Sequence, residues 1–65
     1  MILKIGSRGN EVKELQEFLE ISADGIFGKG THEAVFNWQS KNGLLADGIV
    51  GPQTWDAMGI ATTDN

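Results

Sequence analysis

Apolar residues recur at helical spacing in three places along the chain, and nowhere do they alternate long enough to make a sheet. In NEVKELQEFLE (10–20), Val12, Leu15, Phe18 and Leu19 fall in one stripe at about 100° per residue. Glu11, Lys13, Glu14 and Glu17 fall outside it. In THEAVFNWQSKNG (31–43), Ala34, Val35 and Trp38 share a face, and Asn42-Gly43 supplies the stop. The third segment, PQTWDAMGI (52–60), is short, with Trp55 and Met58 on one side and Gly59 at its end. Asn10 reads as an N-cap. Ahead of it, Leu3 and Ile5 are expected to lie extended and to pack as a lid. The pattern predicts an all-α fold, a compact three-helix domain with ordered Gly-rich loops over residues 1–60. ATTDN (61–65) reads as the start of a linker or tail.

The loops repeat. ADGIFGKGTHEAV (23–35) and ADGIVGPQTWDAM (46–58) share Ala, Asp, Gly, Ile, Gly, Thr and Ala at matching positions. Each type has a backbone reason. Asp24-Gly25 and Asp47-Gly48 are turn dipeptides, in which Asp bonds the backbone ahead and Gly accepts positive φ. Ile26 and Ile49 are expected to plug inward. Gly28 and Gly51 sit where a helix must begin, and Pro52 suits a first helical position with Gly51 as the cap. In a competing register Thr31 and Thr54 are themselves the N-caps. A calcium loop would need oxygen ligands at alternating positions and a terminal bidentate Glu, where this loop offers one Asp and then Ile, Phe, Gly and Lys. No Gly-rich phosphate-binding motif is present either. The repeat therefore reads as one turn-into-helix device used twice, giving the chain an internal loop-helix repeat.

Composition narrows the function classes. A chain of 65 residues without cysteine buries only about 60 % of its unfolded surface, so small apolar clusters must hold it together. A single His cannot assemble a zinc site unaided, and no metal or cofactor is expected. The formal net charge of −4 disfavours nucleic acid and gives no help towards an anionic membrane. MILKIGSRGN has neither a basic n-region nor a long apolar stretch, so no signal peptide is read there. Catalysis is not expected. Asp24 and Asp47 have turn roles, Glu33 and Asp56 suit first helical turns, and nothing resembles a nucleophile elbow.

The ordered motifs G-x-x-G-x-x-V-x-x-L-Q (Gly6, Gly9, Val12, Leu15, Gln16), D-G-x-F-G-x-x-T, A-V-x-x-[aromatic]-Q-x-x-x-G-L (Ala34, Val35, Trp38, Gln39, Gly43, Leu44) and D-G-I-V-G-P-x-T-W resemble the three-helix peptidoglycan-binding domain family over about residues 3–60. Trp38 stands where that family usually has Phe, Phe36 where it usually has a polar or basic residue, and the link from Leu19 to Asp24 is short. The resemblance implies a non-catalytic module that binds the muropeptide part of peptidoglycan and targets a tethered wall hydrolase. On this reading the chain is a monomer, the N-terminal domain of an endolysin made in the cytoplasm and acting at the cell wall. A protein-interaction or pro-segment module of the same fold is the alternative.

Six residues are candidate ligand contacts. Phe36 groups with His32 and Gln39 at i, i+4 and i+7, so that an exposed aromatic flanked by polar groups could stack on a sugar or a peptide stem. Packing of Phe36 against the N-terminal segment or a neighbouring domain is the competing reading. Trp38 reads as core, while Trp55 fits core or contact equally. Gln16 and Gln39 match family positions, and each can instead satisfy loop carbonyls. Arg8 and Lys41 are the cations available to stem-peptide carboxylates.

Overall fold

A computed structural model describes residues 2–60; the expected tail at 61–65 lies outside them. Three helices follow in order, α1 (Asn10–Phe18), α2 (Lys29–Lys41) and α3 (Pro52–Met58), and two isolated antiparallel bridges, Leu3 to Val50 and Arg8 to Ile26, replace any strand among the described residues.

All three helices begin after a glycine. Gly9, Gly28 and Gly51 occupy the cap positions and no side chain caps any of them. Asn10 is therefore the first residue of α1 rather than its cap. Between the two registers open at Thr31 and Thr54, the one with Gly51 as cap and Pro52 at N1 is the one adopted, and α2 begins at Lys29, two residues earlier than its pattern suggests. The threonines lie a turn inside, buried, with a different task.

α1 and α2 also end alike. The Glu20 N–H donates to Glu17 O and the Ile21 N–H to Gln16 O; 23 residues on, Gly43 N–H donates to Ser40 O and Leu44 N–H to Gln39 O. Both are Schellman stops with a left-handed residue after the cap, Gly43 at φ 72° and Glu20 at φ 61°. Glycine meets that requirement freely, whereas Glu20 carries a cost of about 1–2 kcal/mol. α1 stops at Phe18, two residues short of the end of the segment 10–20 that predicts it.

The core is Leu3, Val12, Leu15, Phe27, Val35, Val50, Trp55 and Met58, with Leu19, Trp38 and Ile60 packed on it. The inward plugs of the loops are Phe27 and Val50, not Ile26 and Ile49, which are 48 % and 38 % exposed. The reason is the pleat. The leading segment pairs with both loops, through Gly6 N–H to Phe27 O, Phe27 N–H to Ser7 O and a reciprocal pair between Leu3 and Val50. In extended backbone successive side chains point to opposite faces, so a buried Phe27 sends Ile26 outward. The pairing with Val50 buries Leu3, but the chain then turns, with Ser7 N–H donating to Lys4 O, and Ile5 sits in that turn and is exposed, so the lid is Leu3 alone. Trp38, expected inside, is only partly buried, and Phe18 lies at the stripe's edge with its ring edge-on to Trp38, centroids 5.7 Å apart and planes at 72°.

Candidate functional site

The repeated loops are each organised around one buried glutamine. Gln16, on α1, directs Nε2 to Asp24 Oδ1 (2.9 Å), Ile26 O (3.0 Å) and Thr31 Oγ1 (3.0 Å), while its Oε1 accepts the Gly25 N–H (2.9 Å). Gln39, on α2, directs Nε2 to Asp47 Oδ1 (3.3 Å), Ile49 O (2.9 Å) and Thr54 Oγ1 (3.1 Å), and its Oε1 accepts the Asp47 and Gly48 N–H groups (3.1 and 2.9 Å). Every position of the second set lies 23 residues beyond its counterpart. Each Asp also accepts the N–H two residues ahead, Ile26 at 3.0 Å and Ile49 at 2.9 Å. That backbone bond, followed by the Gln16 amide, holds the Asp24 carboxyl below its ordinary value of 3.8.

Glycine after each Asp is required by geometry. Gly25 and Gly48 have φ 78° and 73°, and a Cβ on Gly48 would run into the His32 imidazole. His32 is thus set against the second loop, half-buried, one turn before Phe36, which is 44 % exposed.

These positions sort the candidate contacts. Gln39 is buried with both ends of its amide engaged inside the domain, and Trp55 is buried in the core, so neither reaches the surface. The loop-carbonyl role weighed for both glutamines is the one they perform. His32 and Phe36 share one flank of α2. Arg8 lies apart, exposed on the leading segment at its bridge with Ile26. Lys41 is apart as well: about 100° per residue carries it, with Asn37 and Trp38, to the opposite flank of α2. There it lines a cleft of about 250 Å³ with Phe18, Glu20 and Trp38. Phe18 was missed as a surface candidate because its place in the apolar stripe makes it look like core, and no sequence signal marks Glu20.

Beside each glutamine hub lies a further shallow depression. One, of about 320 Å³, is bounded by Ile21, Asp24, Ile26 and Gly30; the other, of about 170 Å³, by Leu44, Asp47, Ile49 and Gln53. Again the second set is the first moved on by 23 residues. No three of the described His, Asp and Glu side chains cluster as metal ligands. Among the described residues no helix is long and apolar enough to cross a membrane.

The family described as "Putative peptidoglycan binding domain" matches residues 8–58. A "Probable N-acetylmuramoyl-L-alanine amidase" of Bacillus licheniformis is 42 % identical over 69 residues, covering 94 % of this chain and 20 % of the amidase. The solved structure of a Burkholderia AP3 phage endolysin superposes with TM-score 0.88 at 38 % identity, covering 98 % of this chain and 27 % of the endolysin. The solved SleB N-terminal domain superposes with TM-score 0.88 at 36 % identity, covering 97 % of this chain and 94 % of that domain. The chain spans about a fifth of the length of the amidase it matches.

Proposed function

The chain belongs to the peptidoglycan-binding domain family, and from that membership we propose that it binds the muropeptide part of peptidoglycan and holds a tethered wall hydrolase against its substrate. The observation that carries this is the family match over residues 8–58, almost the whole described fold. The module itself is a binding module. Related domains occur within larger wall hydrolases, whose catalytic parts lie outside the matched region. Affinity for a single unit is modest, since the surface is small, and the benefit comes from raising the effective concentration of the attached catalytic domain. A monomer is enough for that task, and a net charge of −4 gives nucleic acid or an anionic membrane no purchase. Synthesis in the cytoplasm and release to the wall at lysis is the setting we propose, as in a phage lysin.

On this reading the flank carrying His32 and Phe36 offers an exposed aromatic beside a half-buried imidazole, with Arg8 as a separate cation. Incubation of the chain with purified sacculi at low salt, followed by sedimentation, tests the function: protein left in the supernatant overturns it. Phe36→Ala is expected to reduce the sedimented fraction while leaving the melting temperature nearly unchanged. A large fall in melting temperature would instead assign Phe36 to packing.

A further inference from the structure

We propose that the cleft between the end of α1 and the outer flank of α2 is a sugar subsite. Phe18 and Trp38 pack on one pyranose ring of the glycan strand, and Glu20, Asn37 and Lys41 bond its hydroxyl and N-acetyl groups. The proposal rests on the wall-binding reading and adds to it the part of the polymer that is recognised and the residues that do so.

Three observations converge on this cleft. First, two aromatic rings meet edge to face at the border of the core, where both keep exposed surface. Phe18 remains 40 % exposed although it belongs to the apolar stripe of α1, and Trp38 is only partly buried. Aromatic faces at a surface suit the apolar C–H face of a sugar ring. Second, the rim is polar and uncommitted. Among the described residues the Glu20, Asn37 and Lys41 side chains have no hydrogen-bond or ion-pair partner, and all three border the cleft. Carboxylate, amide and ammonium together supply acceptors and donors, which a ring bearing several hydroxyls needs. One negative and one positive charge balance locally, so the cleft has no bias towards a stem-peptide carboxylate. Third, Glu20 holds left-handed backbone at φ 61°, where the matching stop of α2 has Gly43. The fold requires no side chain at that position, and the glutamate that strains it borders the cleft. Strain retained where a glycine would relieve it points to a use for the side chain. A cleft of about 250 Å³ lies below the range of about 300–1,000 Å³ typical of drug-sized sites, which is room for one ring.

The test titrates the 65-residue chain with a tetrasaccharide of β-1,4-linked N-acetylglucosamine, following indole emission and backbone amide resonances. Retention on sacculi is measured in parallel. The tetrasaccharide is expected to shift the resonances of Phe18, Asn37, Trp38 and Lys41. Phe18→Ala and Lys41→Ala should each raise its dissociation constant by about fivefold or more. Glu20→Gly should weaken binding while raising the melting temperature, a split that a purely structural role for Glu20 cannot produce. If sacculi are bound but the sugar leaves these resonances unmoved and all three variants are retained like the parent, the subsite is overturned and wall binding stands. If the sugar shifts the cleft but sacculi are not bound, wall binding falls and the subsite stands as a sugar site.

Discussion

Asp24 shows how a single side chain couples the loop to pH. Its carboxylate accepts the Ile26 N–H and the Gln16 amide, and both bonds favour the charged form, which sets the folded value below 3.8. A carboxyl depressed in this way contributes stability that is in place above the unfolded value and lost as pH falls through the folded one. The melting temperature should therefore fall as pH drops below about 4, and Asp24→Asn should show a shallower fall over that window. Equal slopes would remove Asp24 as a source of acid sensitivity. Gly48 and Gly25 differ at the same scale. Both need positive φ, but a Cβ on Gly25 meets Lys13 Cγ at 3.5 Å, Gly9 O at 3.6 Å and Lys13 Cδ at 3.8 Å, all ordinary contacts, whereas on Gly48 it collides with His32. Gly48→Ala should therefore destabilise more than Gly25→Ala. Combining it with His32→Ala should recover about 1 kcal/mol of the excess in a double-mutant cycle. A Gly48→Ala variant as stable as Gly25→Ala would show that the imidazole does not rest there.

Between elements, the glutamine hubs join each helix to the loop and the helix that follow it. Gln16 belongs to α1 but bonds the loop at Asp24, Gly25 and Ile26 and the first turn of α2 at Thr31. Gln39 does the same from α2 to α3. Replacing either by Leu keeps the volume roughly but strands buried partners, at a cost of about 2–4 kcal/mol. A domain of this size has roughly 3–5 kcal/mol from its core. Gln16→Leu and Gln39→Leu should therefore each abolish a cooperative thermal transition in circular dichroism. Asn42→Ala, which loses an exposed amide bond to Trp38 O, should retain it. A cooperative melt near the parent's temperature in either Leu variant would demote the hub to a local contact. The helices themselves were legible because their stripes and stops lie within a few residues of one another. The hubs were visible only as alternatives, because a glutamine's partner sits 8–15 residues away.

The whole molecule is small and closely folded, with a radius of gyration of 10.5 Å, and offers separate surface features on opposite flanks of α2. Its proposed benefit is that of a tether. Removing the domain from a polypeptide that joins it to a wall hydrolase should lower turnover of intact sacculi by about tenfold or more while sparing soluble muropeptides. Equal losses on both substrates would argue for a role in folding the catalytic part instead. The family was readable from the ordered motifs. The candidate surface was readable only in part: His32 and Phe36 emerge from spacing on one helix, but Phe18 and Glu20, which line the cleft beside Lys41, come from the end of α1.

By itself the sequence determined three helices, the stops of α2 and α3, the doubled Asp-Gly turn and the family. All of these depend on periodicity and turn chemistry, which act over a few residues. The tertiary structure decided which neighbour in each loop faces inward, since pairing with the leading segment chooses Phe27 and Val50 over Ile26 and Ile49. It also decided that Gln39 and Trp55 are interior and that Phe18 and Trp38 meet at a cleft. A helical stripe specifies a direction, while the packing of α1 against α2 specifies how much of the stripe is covered. What α1 leaves open at its edge is the aromatic cleft.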